Sequence, residues 1–303
     1  MNFRFESRTS AADNIRRVAC EQIALARDNL SDPPDDDVHN GIHEARKSFK
    51  RLRGLLRMAR PALGKARYKR ENVRFRDAGR ALSAARDAQA LVESVDMLEK
   101  AYGLQVDFTR MRPLRDRLTA HREELEKETS DLENHVREVL SMLDEAYREV
   151  ENWPLADVGC GDLARGVKRV YKRASKGWKQ ALKRQDPVEM HDWRKRAKYL
   201  RYHFQMFKGL DSDRAAPWHQ GFKELSDLLG DHHDLKVLCD VLDDMGDTGL
   251  DPVAECEFRV LLREQQDALY RDARELGTKL FDDKPGKMRK RVQDKLLEAR
   301  KAC

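Results

Sequence analysis

The stretch HEARKSFKRLR, residues 43–53, decides the fold because a second copy of it occurs later in the chain. That copy is HDWRKRAKYLR, residues 191–201, at an offset of 148 residues, and six positions match. A further pair of segments follows in the same order, LSAARDAQAL at 82–91 and LGDHHDLKVL at 229–238, at an offset of 147 residues. Two matched pairs at nearly one offset indicate an internal duplication.

Each copy of the stretch predicts an amphipathic helix with a basic face and an apolar face. At 100° per residue, the Lys, Arg and His positions of each copy lie on one side, and residues such as Phe49 and Trp193 lie on the other. The segment before the second copy carries a third basic stripe, formed by Arg165, Lys168, Arg169, Lys172, Lys176, Lys179 and Lys183.

The charges are distributed very unevenly along the chain. Residues 43–76 contain 13 Lys or Arg and two Glu, and residues 165–208 contain 15 Lys or Arg and three acidic residues. These segments carry net charges of +11 and +12, so the rest of the chain carries −17, because the total is +6. Solvated helix faces usually alternate Lys or Arg with Glu, and here the acids are nearly absent. The pattern indicates a groove that binds an anion.

Composition and proline spacing predict an all-α protein. The chain has 303 residues, of which 38% are charged and 40% are hydrophobic, and its nine prolines divide it into helix-length segments. We expect every proline to lie where a helix begins or ends. The predicted helices are 8–30, 36–60, 65–102, 111–151, 162–185, 187–208, 214–245, 251–276 and 287–301.

A Pro/Gly-rich break, WPLADVGCGD at 153–162, divides the chain near its middle. It predicts two halves, 1–152 and 153–303, with four main helices each. The sequence contains no run of about 20 apolar residues and no apolar leader, so we expect neither a membrane protein nor an exported one. Five widely spaced cysteines without a CxxC motif predict neither disulfides nor a zinc site, and favour a cytoplasmic setting.

These residues resemble the CHAD family, the conserved histidine α-helical domain. Its signature helix, H-x-x-R-x-x-x-[RK]-[RK]-[LF]-R, is similar to residues 43–53 and 191–201, although Tyr199 replaces a basic residue. The family's downstream pattern L-G-x-x-[RN]-D is similar to residues 82–87, with Ser83 for Gly, and to residues 229–234, with His233 for Arg or Asn.

The resemblance implies a fold and a ligand. The fold is all-α, with two four-helix bundles related by a pseudo-twofold axis and a central basic cavity between the motif helices. The two halves together form one CHAD domain. The implied ligand is inorganic polyphosphate, a linear anion that a long cationic track would bind without base-specific contacts.

The predicted function is therefore non-enzymatic binding of polyphosphate in the cytoplasm, with attachment to polyphosphate granules. Granule proteins or proteins of phosphate metabolism are the expected further partners. The predicted polyphosphate-binding residues are His43, Arg46, Lys47, Lys50, Arg53, Arg57, Arg74, Lys168, Arg169, Lys172, His191, Arg194, Lys195, Lys198 and Arg201. Arg and Lys would supply fixed positive charge, and the two histidines would add donors when protonated.

No catalytic residue, cofactor or metal ion is expected, because common nucleotide-binding, hydrolase and metalloprotease motifs are missing. His39 and His43 have the spacing of two ligands on one helix face, but the second half has no counterpart of His39. Two alternatives stay open. One is a nucleic-acid-binding protein, which would need aromatic residues among its basic ones. The other is a helical adaptor for an acidic protein partner.

Overall fold

A computed structural model describes residues 3–127, 130–183, 187–210 and 212–301. Every secondary-structure element in these ranges is helical, which confirms the all-α prediction. The α-helices are α1 Ala11–Ser31, α2 Val38–Ala81, α3 Ala84–Tyr102, α4 Arg112–Lys127, α5 Ser130–Val150, α6 Cys160–Lys183, α7 Pro187–Phe207, α8 Ser212–Met245, α9 Pro252–Leu280 and α10 Pro285–Lys301. Short 3-10 helices span Pro34–Asp36 and Phe108–Met111.

Helix α2 folds back on itself at Gly64. This residue has φ 75° and ψ 170°, a conformation that glycine adopts readily and residues with a Cβ adopt at a cost. The first arm, residues 38–63, then packs antiparallel to the second arm, residues 65–81. The rings of Phe49 and Phe75 stack at 6.3 Å, and Arg46 Nη1 donates to Leu82 O at 2.6 Å.

Two prolines overturn the expectation that every proline bounds a helix. Pro61 lies inside α2 and Pro217 inside α8. Pro61 comes three residues before the reversal at Gly64, and Pro217 comes five residues after the start of α8 at Ser212. A proline lacks the backbone N–H and so removes one hydrogen bond of the helix. Near a helix end this disrupts only a few residues, so both positions tolerate a proline. The predicted break between residues 60 and 65 is confirmed, at Gly64.

Other helix boundaries also differ from the prediction. The predicted helix 65–102 is divided at Leu82 and Ser83, and the predicted helix 111–151 corresponds to α4 and α5. Asp251 caps α9, because its Oδ1 accepts hydrogen bonds from Val253 N and Ala254 N at 2.9 Å. The side chains at positions 84–87 of the downstream pattern lie outside the described residues.

The chain forms two compact units. Unit 1 consists of Met1–Leu82, Asn134–Ser226 and Leu276–Cys303, and unit 2 of Ser83–Glu133 and Asp227–Glu275. These units do not coincide with the predicted halves 1–152 and 153–303, because each unit draws segments from both halves. The long helices α8 and α9 each contribute residues to both units.

Each unit has its own apolar core. In unit 1, α1 and α6 pack against α2, and α7 and α10 pack against α6, around buried aromatic residues such as Trp153, Tyr171, Trp193 and Phe204. In unit 2, α3 packs against α4, and its core includes Leu98, Leu114, Leu118, Leu238 and Phe258. Burial of these side chains is the main source of stability in both units.

Among the described residues, no helix combines the length and the apolar character that crossing a membrane would require.

Candidate functional site

The three helices with basic stripes pack together in unit 1. Helix α6 meets the first arm of α2 at Gly166, where a Cβ atom would lie 1.9 Å from Met58 O, so only glycine fits. Helix α7 crosses the first arm at Gly54, whose carbonyl oxygen accepts a hydrogen bond from His203 Nε2 at 3.0 Å. The backbone and Cβ of Trp193 on α7 lie against α6 at Gly177. These close approaches fix the positions of the basic side chains.

Fourteen of the fifteen predicted site residues lie on these three helices, outside the second arm of α2. Three of them, Arg169, Lys172 and Lys195, are exposed, and the others are half-buried. We call this set the basic surface: His43, Arg46, Lys47, Lys50, Arg53, Arg57, Lys168, Arg169, Lys172, His191, Arg194, Lys195, Lys198 and Arg201. The folded chain therefore gathers residues that are up to 158 positions apart into one unit.

Within the first arm, Arg53 and Arg57 are held by the second arm. Asn72 Oδ1 accepts hydrogen bonds from Arg57 Nη1 at 2.8 Å and from Arg53 Nε at 3.4 Å. The guanidinium of Arg57 also lies over the ring of Tyr199 on α7, 3.8 Å from its centroid, in a cation–π contact. Burial lowers the pKa of Arg57, and the nearby Arg53 and Arg196 lower it further. This geometry orients two cations before any ligand arrives.

Like charges also crowd together on α6 and α7. The pKa of Lys195 is lowered, first by burial and then by Arg196, Arg53 and Arg80, although Asp192 acts in the opposite direction. The pKa of Arg169 is lowered by burial and by the neighbouring Arg60 and Arg173. An anion bound here would relieve this repulsion, because it would add negative charge beside these cations.

The basic stripe of α6 faces outward along the whole helix. Its exposed side chains are Arg165, Arg169, Lys172, Arg173, Lys176, Lys179 and Lys183, and the opposite face is buried. One carboxylate, Asp162 in the first turn, pairs with Arg165. The row from Arg165 to Lys183 extends for about 27 Å at 1.5 Å per residue. Such a row suits a linear anion better than a compact one.

Arg74 is placed differently from the other predicted site residues. It lies on the second arm, where Nη1 donates to Glu71 Oε2 at 2.9 Å and Nη2 pairs with Glu145 Oε1 at 3.1 Å. Its side chain is 12% exposed, and the carboxylate of Glu71 is buried. Arg67 pairs with the same Glu71. The structure therefore places Arg74 in an internal ion-pair network and not on the basic surface.

Two observations concern buried residues. His203 is fully buried, and the pKa of its imidazole is lowered to about 4, first by burial. Phe49 and Trp193, expected on core faces, are 1% and 0% exposed. They are therefore unable to stack on a base without unfolding.

Sequence reasoning missed Asn72 and Tyr199 as residues that position the basic side chains. The repeat carries one signal for each residue. Asn72 lies 147 residues before His219, which is the offset of the repeat, and Tyr199 interrupts the basic run of the second copy. The described residues contain no group of three His, Cys, Asp or Glu placed to hold a metal ion.

Comparisons with known proteins place the chain in a family. A family model, the CHAD domain, matches residues 17–243. The chain therefore belongs to the CHAD domain family, and the resemblance seen in the sequence is confirmed.

The crystal structure of the CHAD domain from the plant Ricinus communis is similar in fold. The TM-score is 0.57, with 19% sequence identity, over 90% of this chain and 94% of that chain. At this identity the similarity supports the fold alone. A comparison with curated protein sequences finds no match.

Proposed function

We propose that this protein binds inorganic polyphosphate through the basic surface and catalyses no reaction on it. The observation that carries the proposal is the crowding of cations in unit 1, where neighbouring cations help to lower the pKa values of Arg57, Arg169 and Lys195. Like charges held together by the fold destabilise it, and a polyanion compensates that cost on binding. Membership of the CHAD family, which is associated with polyphosphate binding in general, supports the same ligand.

The aromatic residues favour polyphosphate over nucleic acid. Proteins that bind single strands usually stack bases on exposed aromatic side chains. Phe49 and Trp193 are buried in the core, although basic residues flank both of them in the sequence. Tyr199 is also buried and lies beneath the guanidinium of Arg57. Basic residues whose neighbours Phe49, Trp193 and Tyr199 are buried suit a ligand that consists of phosphates only.

Two finer features belong to this proposal, the duplication of the chain and the central basic cavity. The contact between α2 and α7 supports the duplication, because an ideal Cβ on Gly54 would lie 3.1 Å from Tyr202 Cβ. These two positions are 148 residues apart, which is the offset of the repeat. Equivalent residues meet each other where a twofold axis passes between two copies. The basic cavity would then lie beside this crossing, lined by both motif helices.

Competition binding at physiological salt tests the proposal. A labelled polyphosphate of defined length is bound to the full chain and displaced with unlabelled polyphosphate, orthophosphate, single-stranded DNA or duplex RNA. We expect polyphosphate to compete at much lower phosphate concentration than the others, because linked phosphates bind many cations at once. The logarithm of the affinity should also fall linearly and steeply with the logarithm of the salt concentration. Equal competition by a nucleic acid would favour the alternative function.

Attachment to polyphosphate granules in the cytoplasm follows from this proposal. A fluorescent fusion of the protein should co-localise with stained granules in polyphosphate-accumulating cells. Removal of cellular polyphosphate should disperse it.

A further inference from the structure

A second group of cations lies at the carboxyl-terminal end of α7. Of these cations, only Arg201 also belongs to the basic surface. Arg201 and Lys208 are seven residues apart, which is two helical turns, and Lys208 N donates to Phe204 O at 3.2 Å, so the helical spacing continues. On α8, His219 and Lys223 are one turn apart. Arg201 and Lys208 therefore lie on one side of α7, and His219 and Lys223 lie on one side of α8.

Aromatic packing brings these two faces together. The ring of Phe204 on α7 stacks on Phe222 of α8 at 5.4 Å and lies 4.9 Å from the ring of Trp218. Because Trp218 and Phe222 immediately precede His219 and Lys223, their packing on Phe204 fixes where the polar pair lies. All of these residues belong to unit 1.

The amino-terminal segment adds a fifth basic residue. Phe5 N donates to Met206 O at 2.9 Å, and the buried Phe5 ring packs on Phe207 at 6.2 Å. Arg4 is thereby held at the end of α7. A Cβ atom added to Gly209 would lie 2.9 Å from the Cβ of Arg4. We call Arg4, Arg201, Lys208, His219 and Lys223 the arm cluster.

The charged groups that act on His219 are the four cations of the arm cluster. The pKa of His219 is lowered to about 4, first by burial and then by Lys208, Arg201, Lys223 and Arg4. The imidazole is therefore neutral at pH 7, and the elements around it, which are α7, α8 and the amino-terminal segment, all present positive charge to it.

The equivalent place in the first half is arranged differently. By the offsets of 148 and 147 residues, the corresponding pairs are Arg201 with Arg53, Lys208 with Arg60, His219 with Asn72 and Lys223 with Arg76. Asn72 Oδ1 accepts hydrogen bonds from Arg53 and Arg57, so the first half places an acceptor of its own among the cations. The second half replaces that amide with an imidazole, whose two ring nitrogens both donate once it is protonated.

We propose that the arm cluster binds a phosphoryl group of the polyphosphate chain, and that His219 takes up a proton when it binds. The inference rests on the proposed function, and extends the bound chain from the basic surface through Arg201. A phosphate beside the imidazole supplies negative charge, which favours the protonated form and raises its pKa. The bound state then holds more protons than the free state, so polyphosphate affinity increases as pH falls from about 7.5 to about 6.

Calorimetric titration of the full chain with polyphosphate of defined length tests the inference. Titrations at pH 6.0 in two buffers with different heats of ionisation measure the protons taken up on binding. We expect the wild type to take up a fraction of one proton more than His219→Asn, which restores the amide of the first half. His121→Gln, at an exposed position on α4, is the matched control and should behave as the wild type.

A second variant, Lys208→Gln with Lys223→Gln, keeps the test valid if His219→Asn folds poorly, because both lysines are only half-buried. We expect it to weaken polyphosphate binding by about tenfold or more, since it removes two charge-assisted contacts. Circular dichroism checks that helicity is retained.

The outcomes separate this inference from the function on which it rests. A wild type that does not bind polyphosphate overturns the proposed function and the inference with it. Normal binding with the same proton uptake and affinity in both variants overturns the inference alone. If orthophosphate alone produces the same proton uptake at equal phosphate concentration, the arm cluster binds a free ion, and its continuity with the chain is wrong.

Discussion

Arginines of unit 2 and arginines of the basic surface in unit 1 have opposite surroundings. In unit 2 they meet carboxylates, in the pairs Arg110–Glu257 at 3.0 Å, Arg115–Asp96 at 2.8 Å, Arg117–Asp247 at 2.8 Å and Arg259–Asp243 at 2.7 Å. On the basic surface of unit 1, by contrast, Arg53, Arg57 and Lys195 lie near one another and near further cations. The same residue type therefore links helices in unit 2 and presents net charge on the basic surface.

The pKa values of these arginines are shifted in opposite directions, in agreement with this difference. Hydrogen bonds to carboxylates raise the pKa values of Arg115 and Arg259 in unit 2. Burial and nearby cations lower those of Arg57 and Arg169 in unit 1. An arginine paired with a carboxylate has a counter-charge beside it, whereas Arg57 and Arg169 lie near further cations that lower their pKa values. If the proposed binding site is the basic surface of unit 1, the two units should respond differently to the same substitutions.

The largest expected effect is the loss of polyphosphate binding when charge is removed from the basic surface. The triple variant Lys50→Gln, Lys195→Gln, Lys198→Gln should bind on the order of 1000-fold more weakly, from about 1.5 kcal/mol for each charge-assisted hydrogen bond. Fluorescence anisotropy with labelled polyphosphate measures the change, and circular dichroism checks the fold.

The matched control changes the same net charge in unit 2, with Arg110→Gln, Arg115→Gln and Arg117→Gln. These arginines already pair with carboxylates, so their replacement should leave the affinity within about threefold of the wild type, which is a small fraction of the effect of the first triple variant. Equal weakening by both triple variants would mean that overall charge alone governs binding, and the distinction between the units would fail.

The next effect is selective stabilisation of unit 1 by its ligand. Polyphosphate at 100 times its Kd should stabilise the bound form by about 2.7 kcal/mol. Amides in α6 and α7 that exchange through unfolding should then exchange up to about 100-fold more slowly in deuterium oxide. Those of α3 and α4 in unit 2 should change much less. Equal slowing in both sets of helices would show that the ligand does not distinguish the units.

Much of the fold could be predicted from the sequence because the helices are strongly amphipathic. The clean division of α6 into a buried and a basic face is readable at 100° per residue, and so is the break near Pro61. The division of the chain into units was not readable. It depends on how α8 and α9 share their residues between two cores, and periodicity within a helix carries no information about that.

The candidate site could be predicted less completely than the fold. The repeat identified the basic residues of α2 and α7, but a charge pattern does not reveal which cations have internal partners. Arg74 fits the basic pattern and nevertheless pairs with Glu71 and Glu145, the second of which is on α5, far away in sequence. Lys208 and His219 lie outside the motif helix pattern, and only the packing of α7 on α8 brings them together.

A smaller effect concerns stability in acid, through the neutral His203 beneath the basic surface. Its pKa is about 4 when folded, lowered first by burial, whereas an unfolded histidine has a pKa near 6.5. The unfolded chain therefore binds more protons, and this contribution to stability is complete above pH 6.5 and decreases as pH falls towards 4. From pH 7 to pH 5 the loss is about 2 kcal/mol.

His203→Gln should reduce this loss, because glutamine can donate to Gly54 O without titrating. The free energy of unfolding, measured in urea at pH 7 and pH 5, should fall less in the variant than in the wild type. His219 also has a lowered pKa and leaves some pH dependence in place. An identical pH dependence in wild type and variant would mean that the pKa of His203 is the same in the folded and the unfolded chain.

The smallest effect is expected from breaking an ion-pair cluster in unit 2. Arg259 joins α9 to α8 through Asp243 Oδ1 at 2.7 Å and Leu242 O at 3.3 Å, and also donates to Glu255 Oε1 at 2.9 Å. Because this cluster is solvent-accessible, Arg259→Gln should lower the free energy of unfolding by about 1 kcal/mol, and by less in high salt. Polyphosphate affinity should stay unchanged, since the carboxylates have already neutralised this arginine. Urea unfolding at two salt concentrations, together with a binding titration, measures both quantities. If the substitution weakens binding instead, unit 2 contributes to the ligand site, and its paired arginines are more than links between helices.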